Sequence, residues 1–493
     1  MKRKVLVIGS GFSSLSSASY LAQMGHEVHV FEKNSALGGR ARQLKKNGFT
    51  FDMGPSWYWM PDVFEKYFGD FEKKPSDYYQ LHRLNPAYRV YFGKNDTIEI
   101  GDSLDKIYHV FEKEEKGSGK KLQSFISEAR TNYDIAILDL VYRPGISPLE
   151  LVTTTTIKKF RYFLSNIKKQ VTKKFKNPKL RQILQFPVLF LGAKPQNTPA
   201  FYNFMNFADF GLGTWHPDKG MYSVVEAMVS LAEELGVQFH TSSPVDQIIV
   251  EKDKAVAIKV NGKRIEGDYI LSGADYHHTE TLLPEPNRMY SEAYWENKTF
   301  APSSLLFYVG LDKKVQNVEH HTLFFDVDFD QHAREIYDQP RWPKEPLFYA
   351  NFPSISDASM APEGKEAMFI LVPIAPGIED TQELRERYFN IVIDRFERLT
   401  DQSIQPNILF KESFCVNDFI EDYNSYKGNA YGMANTLLQT AFMRPKLKSK
   451  KVKGLYFSGQ LTVPGPGVPP ALISGKLVAG LIEQAIYSQS PTK

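Results

Sequence analysis

The stretch Val5-Leu6-Val7-Ile8-Gly9-Ser10-Gly11-Phe12-Ser13-Ser14 decides the fold. It is a short apolar run that leads into a turn with two glycines. A second apolar run, Val28 to Phe31, ends at Glu32. The order predicts a strand, a tight turn, a helix and a second strand that ends in an acid. The predicted helix has apolar residues at helical spacing: Leu15, Ala18, Leu21 and Ala22.

This pattern is typical of a dinucleotide-binding unit. In such a unit the first glycine permits the turn, the second lets the backbone approach a pyrophosphate, and the third lets helix and strand pack closely. Gly9 and Gly11 fill the first two positions, whereas Ser14 stands at the third. Glu32 after the second strand is placed to bind a ribose hydroxyl pair. The alternative is an ordinary strand-turn-helix with a surface glutamate.

A second glycine pair follows soon after Glu32. In Gly38-Gly39-Arg40 the glycines permit close backbone approach, and the arginine can meet a phosphate. A further turn lies at Asp52 to Ser56. The glycine pair is not expected in a fold that binds only a nicotinamide nucleotide.

Composition narrows the class of protein. The 493 residues carry a net charge of +3 and have 42% hydrophobic residues, which is ordinary for a globular protein and does not suggest a nucleic-acid partner. Cys415 is the only cysteine, so an intramolecular disulfide and a dithiol redox centre are both excluded. A reducing compartment is the simple inference. Apolar runs such as 186–193 and 305–311 are far shorter than a membrane span.

We expect an α/β fold in which one Rossmann-like nucleotide-binding domain is assembled from separated segments. Those segments are 1–70, 215–275 and 415–493. Residues 71–214 are predicted to be mostly helical and to contact substrate or membrane, and residues 276–414 to form an inserted α+β substrate domain. A helix is predicted for 221–235, and Asn261-Gly262 predicts a hairpin between strands at 255–260 and 269–271.

The sequence resembles a known family at both ends. Glu32-Lys33, Gly38-Gly39-Arg40 and Phe51 to Trp57 are similar to the opening of carotenoid desaturases of the bacterial phytoene desaturase type, within the flavin amine oxidase-like superfamily. The segment 459–475, with Pro464-Gly465-Pro466-Gly467-Val468-Pro469, is similar to the C-terminal FAD signature of that family. Val245 and Gly273-Ala274-Asp275 match its middle part. Residues 90–210 resemble the family least.

The resemblance implies FAD as cofactor and a set of contacts to it. Gly9, Gly11 and Ser14 would line the pyrophosphate, Glu32 would hold the ribose, and Arg40 would meet the phosphates. The residues implied to bind FAD are Gly9, Gly11, Ser14, Glu32, Lys33, Gly39, Arg40, Gly54, Pro55, Ser56, Trp57, Val245, Ala274, Asp275, Gly459, Gly465, Gly467, Val468 and Pro469. Among them, residues 54–57 would lie near the flavin ring, and Val245 would contact adenine through its backbone.

The expected reaction is dehydrogenation of a CH–CH unit. A single dinucleotide motif is visible in the sequence, so the substrate itself is the expected hydride donor, and an external quinone or oxygen would reoxidise the flavin. The resemblance implies phytoene, an apolar polyene, as substrate, with extension of its conjugation as far as lycopene. Binding would then depend on apolar burial, about 25 cal/mol per Å², and the cofactor would carry the redox step.

Few titratable catalytic residues are expected for such a substrate. Arg130 loosely matches an arginine proposed near the active site of relatives, and a solvated helix charge is the alternative. Asp52 could act as a base, but a structural role in the turn is favoured. His277-His278 has no further ligands at metal-binding spacing, so no metal is expected.

A basic segment raises the question of a membrane. Residues 151–181 carry ten Lys or Arg and no acid, with Phe160, Phe163, Leu164, Ile167, Val171 and Phe175 at helical spacing. Such a helix suits an anionic membrane surface, but packing of its apolar face on the protein is an equal alternative. The expected location is cytoplasmic and peripheral at the membrane, and the sequence implies no protein partner.

Three alternative functions stay open. A sister desaturase of hydroxylated or cyclised carotenes would carry the same signatures. A flavin amine oxidase shares the architecture, although Cys415 lies outside the C-terminal signature, which disfavours a covalent flavin. Rab GDP-dissociation inhibitors use a related fold without flavin, and the intact Glu32 and Arg40 argue against them.

Overall fold

A computed structural model describes residues 2–138, 140–147, 150 and 165–488. The described chain alternates strands and helices from its beginning. The strands, in chain order, are β1 Lys4–Ile8, β2 Glu27–Phe31, β3 Gln43–Lys46, β4 Phe49–Asp52, β5 Leu81–Arg83, β6 Tyr88–Gly93, β7 Asp96–Ile100, β8 Trp215–Pro217, β9 Gln238–His240, β10 Val245–Glu251, β11 Lys254–Val260, β12 Lys263–Glu266, β13 Tyr269–Ser272, β14 Ser303–Leu311, β15 His321–Phe324, β16 Phe348–Asn351, β17 Glu366–Ile374, β18 Ile408–Phe414 and β19 Leu455–Phe457.

The α-helices of the described residues surround these strands. In chain order they are α1 Phe12–Gln23, α2 Pro61–Gly69, α3 Leu104–Glu114, α4 Ser118–Leu138, α5 Ile167–Lys174, α6 Pro178–Gln185, α7 Phe204–Phe210, α8 Tyr222–Glu234, α9 Tyr276–Thr281, α10 Glu292–Glu296, α11 Phe329–Tyr337, α12 Gln382–Thr400, α13 Val416–Tyr423 and α14 Val468–Ser488.

A parallel sheet carries the nucleotide-binding motif. Among the described residues its strand order is β19-β13-β1-β2-β9, so strands from three distant parts of the chain lie side by side. Side chains alternate between the two faces of β1. Val5 and Val7 pack with α1 and α14, whereas Leu6 and Ile8 pack against the small sheet β10-β11-β12. The predicted Rossmann-like α/β architecture is confirmed.

A larger sheet forms the second layer of the molecule. Its order is β18-β14-β17-β16-β15-β6-β7 in the described residues. On one face Leu305 and Phe307 of β14 pack with α12. On the other face Leu306, Leu323 and Tyr349 point toward the nucleotide-binding half. The space between the two sheets is therefore bounded by one apolar sheet face and by the glycine turns.

Several predicted elements are present with nearly the predicted bounds, and one pairing is wrong. Helix α8 covers the predicted 221–235 helix. The turn at Asn261-Gly262 does form a hairpin, but β11 pairs with β12 rather than with the strand at 269–272. That strand, β13, enters the parallel sheet instead. The short, charged β12 (Lys-Arg-Ile-Glu) has no apolar alternation that would mark it as a strand.

Residues 71–214 contain more than helices. Strands β6 and β7 lie in this segment and extend the large sheet through the pairing of β6 with β15. The segment therefore contributes to the same layer as residues 276–414. The division of the chain into functional domains stays a prediction.

The basic segment is described only in part. Residues 151–164, with Phe160, Phe163 and Leu164, lie outside the described residues. In the described remainder, Ile167, Val171 and Phe175 are fully buried, and Phe175 packs edge-on against Phe111 and Phe125. The apolar face of α5 is therefore covered by protein, as the packing alternative predicted. No helix in the described ranges is both long enough and apolar enough to cross a bilayer.

Candidate functional site

A cavity of about 1370 Å³ lies between the two sheets. Its wall changes character along its length. One end is formed by the glycine turns, with charged side chains such as Glu32 and Arg40, and the other by apolar and aromatic side chains from α11, β16 and residues 186–205. All of the predicted cofactor residues line this cavity except Ser14 and Gly465.

The first turn presents backbone N–H groups to the cavity. Gly9 has φ +85°, and a methyl group there would lie 3.3 Å from the backbone N of Ala274. Gly11 is the N-cap of α1 and provides no side-chain cap. The first N–H groups of α1 are therefore available to an anion, which the helix dipole also favours.

Ser14 performs the packing role of the third glycine from the opposite side. A methyl group on Gly273, which follows β13, would lie 2.1 Å from Ser14 Oγ. Because residue 273 is a glycine, α1 can approach β13 closely although residue 14 carries a side chain. Ser14 is fully buried, and its Oγ has no hydrogen-bond partner among the described residues. It lies inside α1 rather than at the cavity wall.

Glu32 is held in one orientation at the end of β2. Its Oε2 accepts hydrogen bonds from Ser10 N at 2.9 Å and Ser10 Oγ at 2.7 Å, and its Oε1 accepts from Asn34 N at 2.9 Å. The side chain is 4% exposed and borders the cavity. A fixed, buried carboxylate at this point can accept hydrogen bonds from a diol.

Around the glycine pair and Arg40, the backbone of residues 39–40 lies very close to Gly11 on one side and to Gly54 on the other. A methyl group on Gly39 would lie 3.3 Å from Gly11 Cα, and one on Gly54 would lie 2.2 Å from the carbonyl O of Arg40. Arg40 Nη2 donates to Ser425 Oγ at 2.9 Å, and its guanidinium lies 5.2 Å from the ring centre of Tyr423. Only glycine at 54 permits this approach.

Arg40 is a half-buried cation at this end. Burial lowers the pKa of Arg40, although the nearby Asp275 raises it. Burial likewise raises the pKa of Asp275, which the charge of Arg40 opposes. Arg40 Nε is buried and has no partner among the described residues. A buried donor without an acceptor costs about 1–3 kcal/mol, so this atom fits an anionic group bound in the cavity.

The third segment closes the same end. Gly459 has φ +99°, and its N–H donates to Ser474 Oγ at 3.0 Å. Gly467, Val468 and Pro469 border the cavity at the start of α14. Gly465 lies behind them, where a methyl group would be 3.1 Å from the Asn435 amide. The three separated segments therefore meet around one anion-binding, glycine-lined space, as FAD requires.

The one histidine of α11 in the wall of the aromatic end, His332, is already engaged in hydrogen bonds. His332 Nδ1 accepts from Leu347 N–H at 3.0 Å, and its Nε2 lies 2.8 Å from Pro373 O. These two bonds use both ring nitrogens in the neutral form. Burial lowers the pKa of His332 to about 4, so the ring stays neutral near pH 7. The end therefore suits an apolar molecule.

One polar cluster in this wall was not predicted from the sequence. Tyr349 Oη lies 3.0 Å from Ser56 Oγ and 2.6 Å from His321 Nδ1. The ring of His321 stacks on Trp57 with centroids 3.9 Å apart. Ser56 and Trp57 were predicted from the family signature, whereas Tyr349 and His321 come from β16 and β15, almost 300 residues later, and belong to no local motif.

The remaining sequence candidates lie elsewhere. Arg130 is exposed on α4, 5.8 Å from the ring centre of Phe207, and does not line the cavity. Asp52 caps α8, since it accepts from Met221 N at 2.7 Å and Tyr222 N at 3.1 Å. Burial raises the pKa of Asp52 to about 6. The structural role favoured for Asp52 thus agrees with its contacts.

The histidine pair and the cysteine show no cofactor chemistry. His277 Nε2 lies 2.9 Å from Glu292 Oε2, and His278 donates its backbone N–H to Asp275. No group of three or more potential metal ligands occurs in the part of the chain that the structure covers. Cys415 is fully buried, and burial raises the pKa of its thiol.

The fold and this site define a flavoprotein oxidoreductase. The glycine turns of a dinucleotide-binding domain with a parallel sheet form one end of the cavity, and the other end is an apolar chamber. The sequence model of the flavin containing amine oxidoreductase family matches residues 12–482. The chain belongs to that family, and FAD is its cofactor.

Two relatives and one solved structure illustrate the similarity. The chain is 42% identical over 97% of its length to carotenoid 3,4-desaturase of Haloarcula japonica, 98% of which is covered. It is 30% identical over 97% of its length to a zeta-carotene-forming phytoene desaturase of Myxococcus xanthus, 93% of which is covered. Putrescine oxidase bound to putrescine has the same fold, with a TM-score of 0.65, 14% identity and coverage of 98% of this chain and 99% of the other.

Proposed function

We propose that this chain is a carotenoid desaturase, which removes two hydrogens from a CH–CH unit of a polyene held in the apolar chamber. The observation that carries the proposal is the wall of that chamber. Residues such as Phe329, Ile336, Leu347 and Phe348 form a surface that offers a hydrocarbon extensive contact.

The FAD contacts implied by the family signature are part of this proposal. Backbone N–H groups at the start of α1 and Arg40 Nε would bind the pyrophosphate, and Glu32 would bind the adenosine ribose. Residues 54–57 would then lie beside the flavin ring, next to the aromatic end of the cavity. The bound flavin supplies the hydride acceptor, and the protein positions the substrate and excludes water.

Phytoene, converted in several steps to lycopene, is the specific reaction that we propose first. The family signature and the similarity to the zeta-carotene-forming phytoene desaturase of M. xanthus favour phytoene as the substrate, and the extension to lycopene rests on the family signature alone. The second candidate is 3,4-desaturation of a carotenoid that is already conjugated, a sister activity that includes hydroxylated substrates. The higher identity to the H. japonica enzyme, 42% against 30%, favours this candidate.

We also propose that the enzyme works at a membrane surface, with a quinone or oxygen as final oxidant. Carotenes dissolve in lipid rather than in water, so the chamber must receive them from a bilayer. Two apolar side chains near one end of the chamber support this proposal, since Ile146 is 65% exposed and Leu438 is 74% exposed. Leu438 also lines the cavity.

The test is a paired incubation of the FAD-loaded protein with liposomes that contain phytoene or lycopene. Red pigment with the chromatographic mobility of lycopene, formed from phytoene, would support the first candidate. Unchanged phytoene together with conversion of lycopene to a longer polyene would support 3,4-desaturation, and hydroxylated carotenes would be tested next. A protein that stays yellow and converts none of these would overturn the carotenoid proposal.

A further inference from the structure

A line of side chains leaves the cavity wall and runs into the protein. Ser56 Oγ and Tyr349 Oη are 3.0 Å apart, and Tyr349 Oη and His321 Nδ1 are 2.6 Å apart. Ser56 and Tyr349 line the cavity, whereas His321 is fully buried behind them. The line therefore connects the chamber with a ring nitrogen that can accept or donate a proton.

His321 is held by its neighbours in one position. Its ring lies parallel to that of Trp57, with an interplanar angle of 8°. Asn351 Nδ2 lies 3.4 Å from His321 Nδ1 and donates to the carbonyl O of His320 at 2.9 Å. The other ring nitrogen, Nε2, has no hydrogen-bond partner among the described residues. A buried, fixed imidazole with one free nitrogen is suited to passing a proton onward.

Two more histidines lie near His321, but His321 Nε2, His320 Nδ1 and His216 Nε2 have no hydrogen-bond partner among the described residues. The ring centre of His320 is 4.5 Å from that of His321 and 4.6 Å from that of His216. His216 Nε2 then lies 3.5 Å from Asp357 Oδ2. Asp357 is only partly buried, and the nearby His216 together with hydrogen bonds from Ser359 and Lys219 N lowers the pKa of its carboxyl despite burial.

The proposed reaction needs an acceptor for one proton. When a CH–CH unit becomes a double bond, one hydrogen leaves as hydride to oxidised flavin and the other leaves as a proton. As the hydride departs, positive charge develops on the allylic carbon and makes the neighbouring C–H bond acidic, so a weak, neutral base is sufficient when the two transfers occur in one step. His332 at the same end cannot serve, because both of its nitrogens are engaged.

The electrostatics of His321 suit a group that passes a proton on. Burial and the neighbouring His216 hold the pKa of His321 well below its ordinary value. The ring is therefore neutral before the reaction and has a lone pair available. It also releases a proton readily, which is the requirement for a relay.

We propose that Tyr349 and His321 receive the proton that leaves the substrate. The inference rests on the proposed function. The substrate C–H bond breaks and its electron pair forms the new double bond. Tyr349 Oη takes that proton while its own phenolic proton passes to His321 Nδ1. The hydride from the neighbouring carbon passes with its electron pair to the oxidised flavin, so charge and electrons balance.

The test compares variants in a single turnover without oxygen. Flavin reduction by the carotenoid is followed by absorbance in H₂O and in D₂O, for the wild type, Tyr349→Phe and His321→Gln. Tyr79→Phe is the matched control, since it also removes a buried hydroxyl, hydrogen-bonded to Tyr58 Oη at 2.8 Å, but lies outside the cavity wall. Flavin spectra and melting temperatures check that each variant is folded.

We expect Tyr349→Phe to slow flavin reduction by about a hundredfold or more, the usual size of a general-base effect, without weakening substrate binding. His321→Gln should abolish the solvent isotope effect of the wild type. Tyr79→Phe should retain both the rate and the isotope effect. A Tyr349→Phe rate equal to that of Tyr79→Phe, with wild-type flavin reduced normally, would overturn the relay and leave the proposed function intact.

A second readout does not depend on turnover. In the oxidised holoenzyme with ¹⁵N-labelled histidine, the Nδ1 signal assigned through His321→Gln should be that of a neutral ring and should move in Tyr349→Phe. A protonated ring, or a signal indifferent to Tyr349, would contradict the relay. If the wild-type flavin is not reduced by any carotenoid, the proposed function fails and the relay falls with it.

Discussion

The two ends of the cavity are built by different means. At the nucleotide end, close backbone approaches at Gly9, Gly39 and Gly54 and fixed charges on Glu32 and Arg40 determine the shape. At the aromatic end, apolar side chains from distant elements determine the shape, and His332 is internally satisfied. The first end recognises a cofactor by geometry that tolerates no added atom. The second end binds a hydrocarbon through the apolar surface that it buries. Replacing one apolar side chain there by another of similar size therefore has little effect on binding.

The largest expected effect comes from adding one methyl group at the nucleotide end. Gly54→Ala would place Cβ 2.2 Å from the carbonyl O of Arg40, a backbone atom that cannot rotate away. Such overpacking costs at least about 1–3 kcal/mol, and we expect the protein to purify without flavin. Flavin absorbance per mole of protein measures this.

The control for Gly54→Ala is Gly480→Ala. Gly480 lies in α14, and a methyl group there meets nothing within 4 Å. This variant should keep its flavin and gain up to about 1 kcal/mol of stability from helix propensity. A Gly54→Ala protein with a full complement of flavin would show that this close backbone approach is dispensable.

The next effect concerns a buried acid behind the aromatic end. Asp209 is 2% exposed and accepts one hydrogen bond from Tyr88 Oη at 2.9 Å, and Tyr88 packs against Trp57 and Phe186 of the wall. Burial raises the pKa of Asp209 to about 8. Because the folded state retains a proton that the unfolded state releases, this group stabilises the fold below pH 4, and the contribution is lost as the pH rises to 8.

Asp209→Asn should remove that dependence on pH. Relative to the wild type, the variant should gain up to about 1.4 kcal/mol per pH unit between pH 4 and pH 8 and then level off. Denaturant unfolding of both proteins at several pH values measures the difference. A difference that stays constant over this range would mean that Asp209 is ionised in the folded protein.

A smaller effect is expected from a polar group in the apolar wall. Ile336 is 7% exposed and lines the cavity. Ile336→Asn would require an amide to lose its hydration against a hydrocarbon, at about 1–3 kcal/mol, so KM for the carotenoid should rise at least about tenfold with flavin content unchanged. Ile336→Leu, which conserves volume, should behave as the wild type. Loss of flavin in Ile336→Asn would argue that the two ends are not independent.

The smallest effect is expected at Ser14, which stands where the glycine motif has its third glycine. Ser14→Ala removes a buried hydroxyl that has no partner among the described residues. Stability should stay the same or rise by about 1 kcal/mol, and flavin should be retained. Calorimetry and flavin absorbance test this. A clear loss of flavin would show that Ser14 Oγ does contact the cofactor.

The same comparison explains what could be predicted from the sequence. The turn at 9–14, Arg40 and the loop at 459–469 are local motifs whose residue types follow from backbone geometry, so almost all of the predicted contacts line the cavity. The exception Ser14 is explained only by Gly273, a neighbour in space. Tyr349, His321 and the aromatic wall follow from how β14 to β17 pair, and long-range register has no local signal. Strand β12 was missed because its sequence is charged.

The order of strands in the parallel sheet has a consequence for how the protein is made. Strand β1 pairs with β13, and β13 pairs with β19 at residues 455–457, so the sheet is incomplete until residue 457 has left the ribosome. At about 5–20 residues per second, the sheet waits tens of seconds after β1 is made for its last strand, β19. Cofactor capture, which needs the glycine turns at both ends of the sequence, is therefore a late event of biosynthesis.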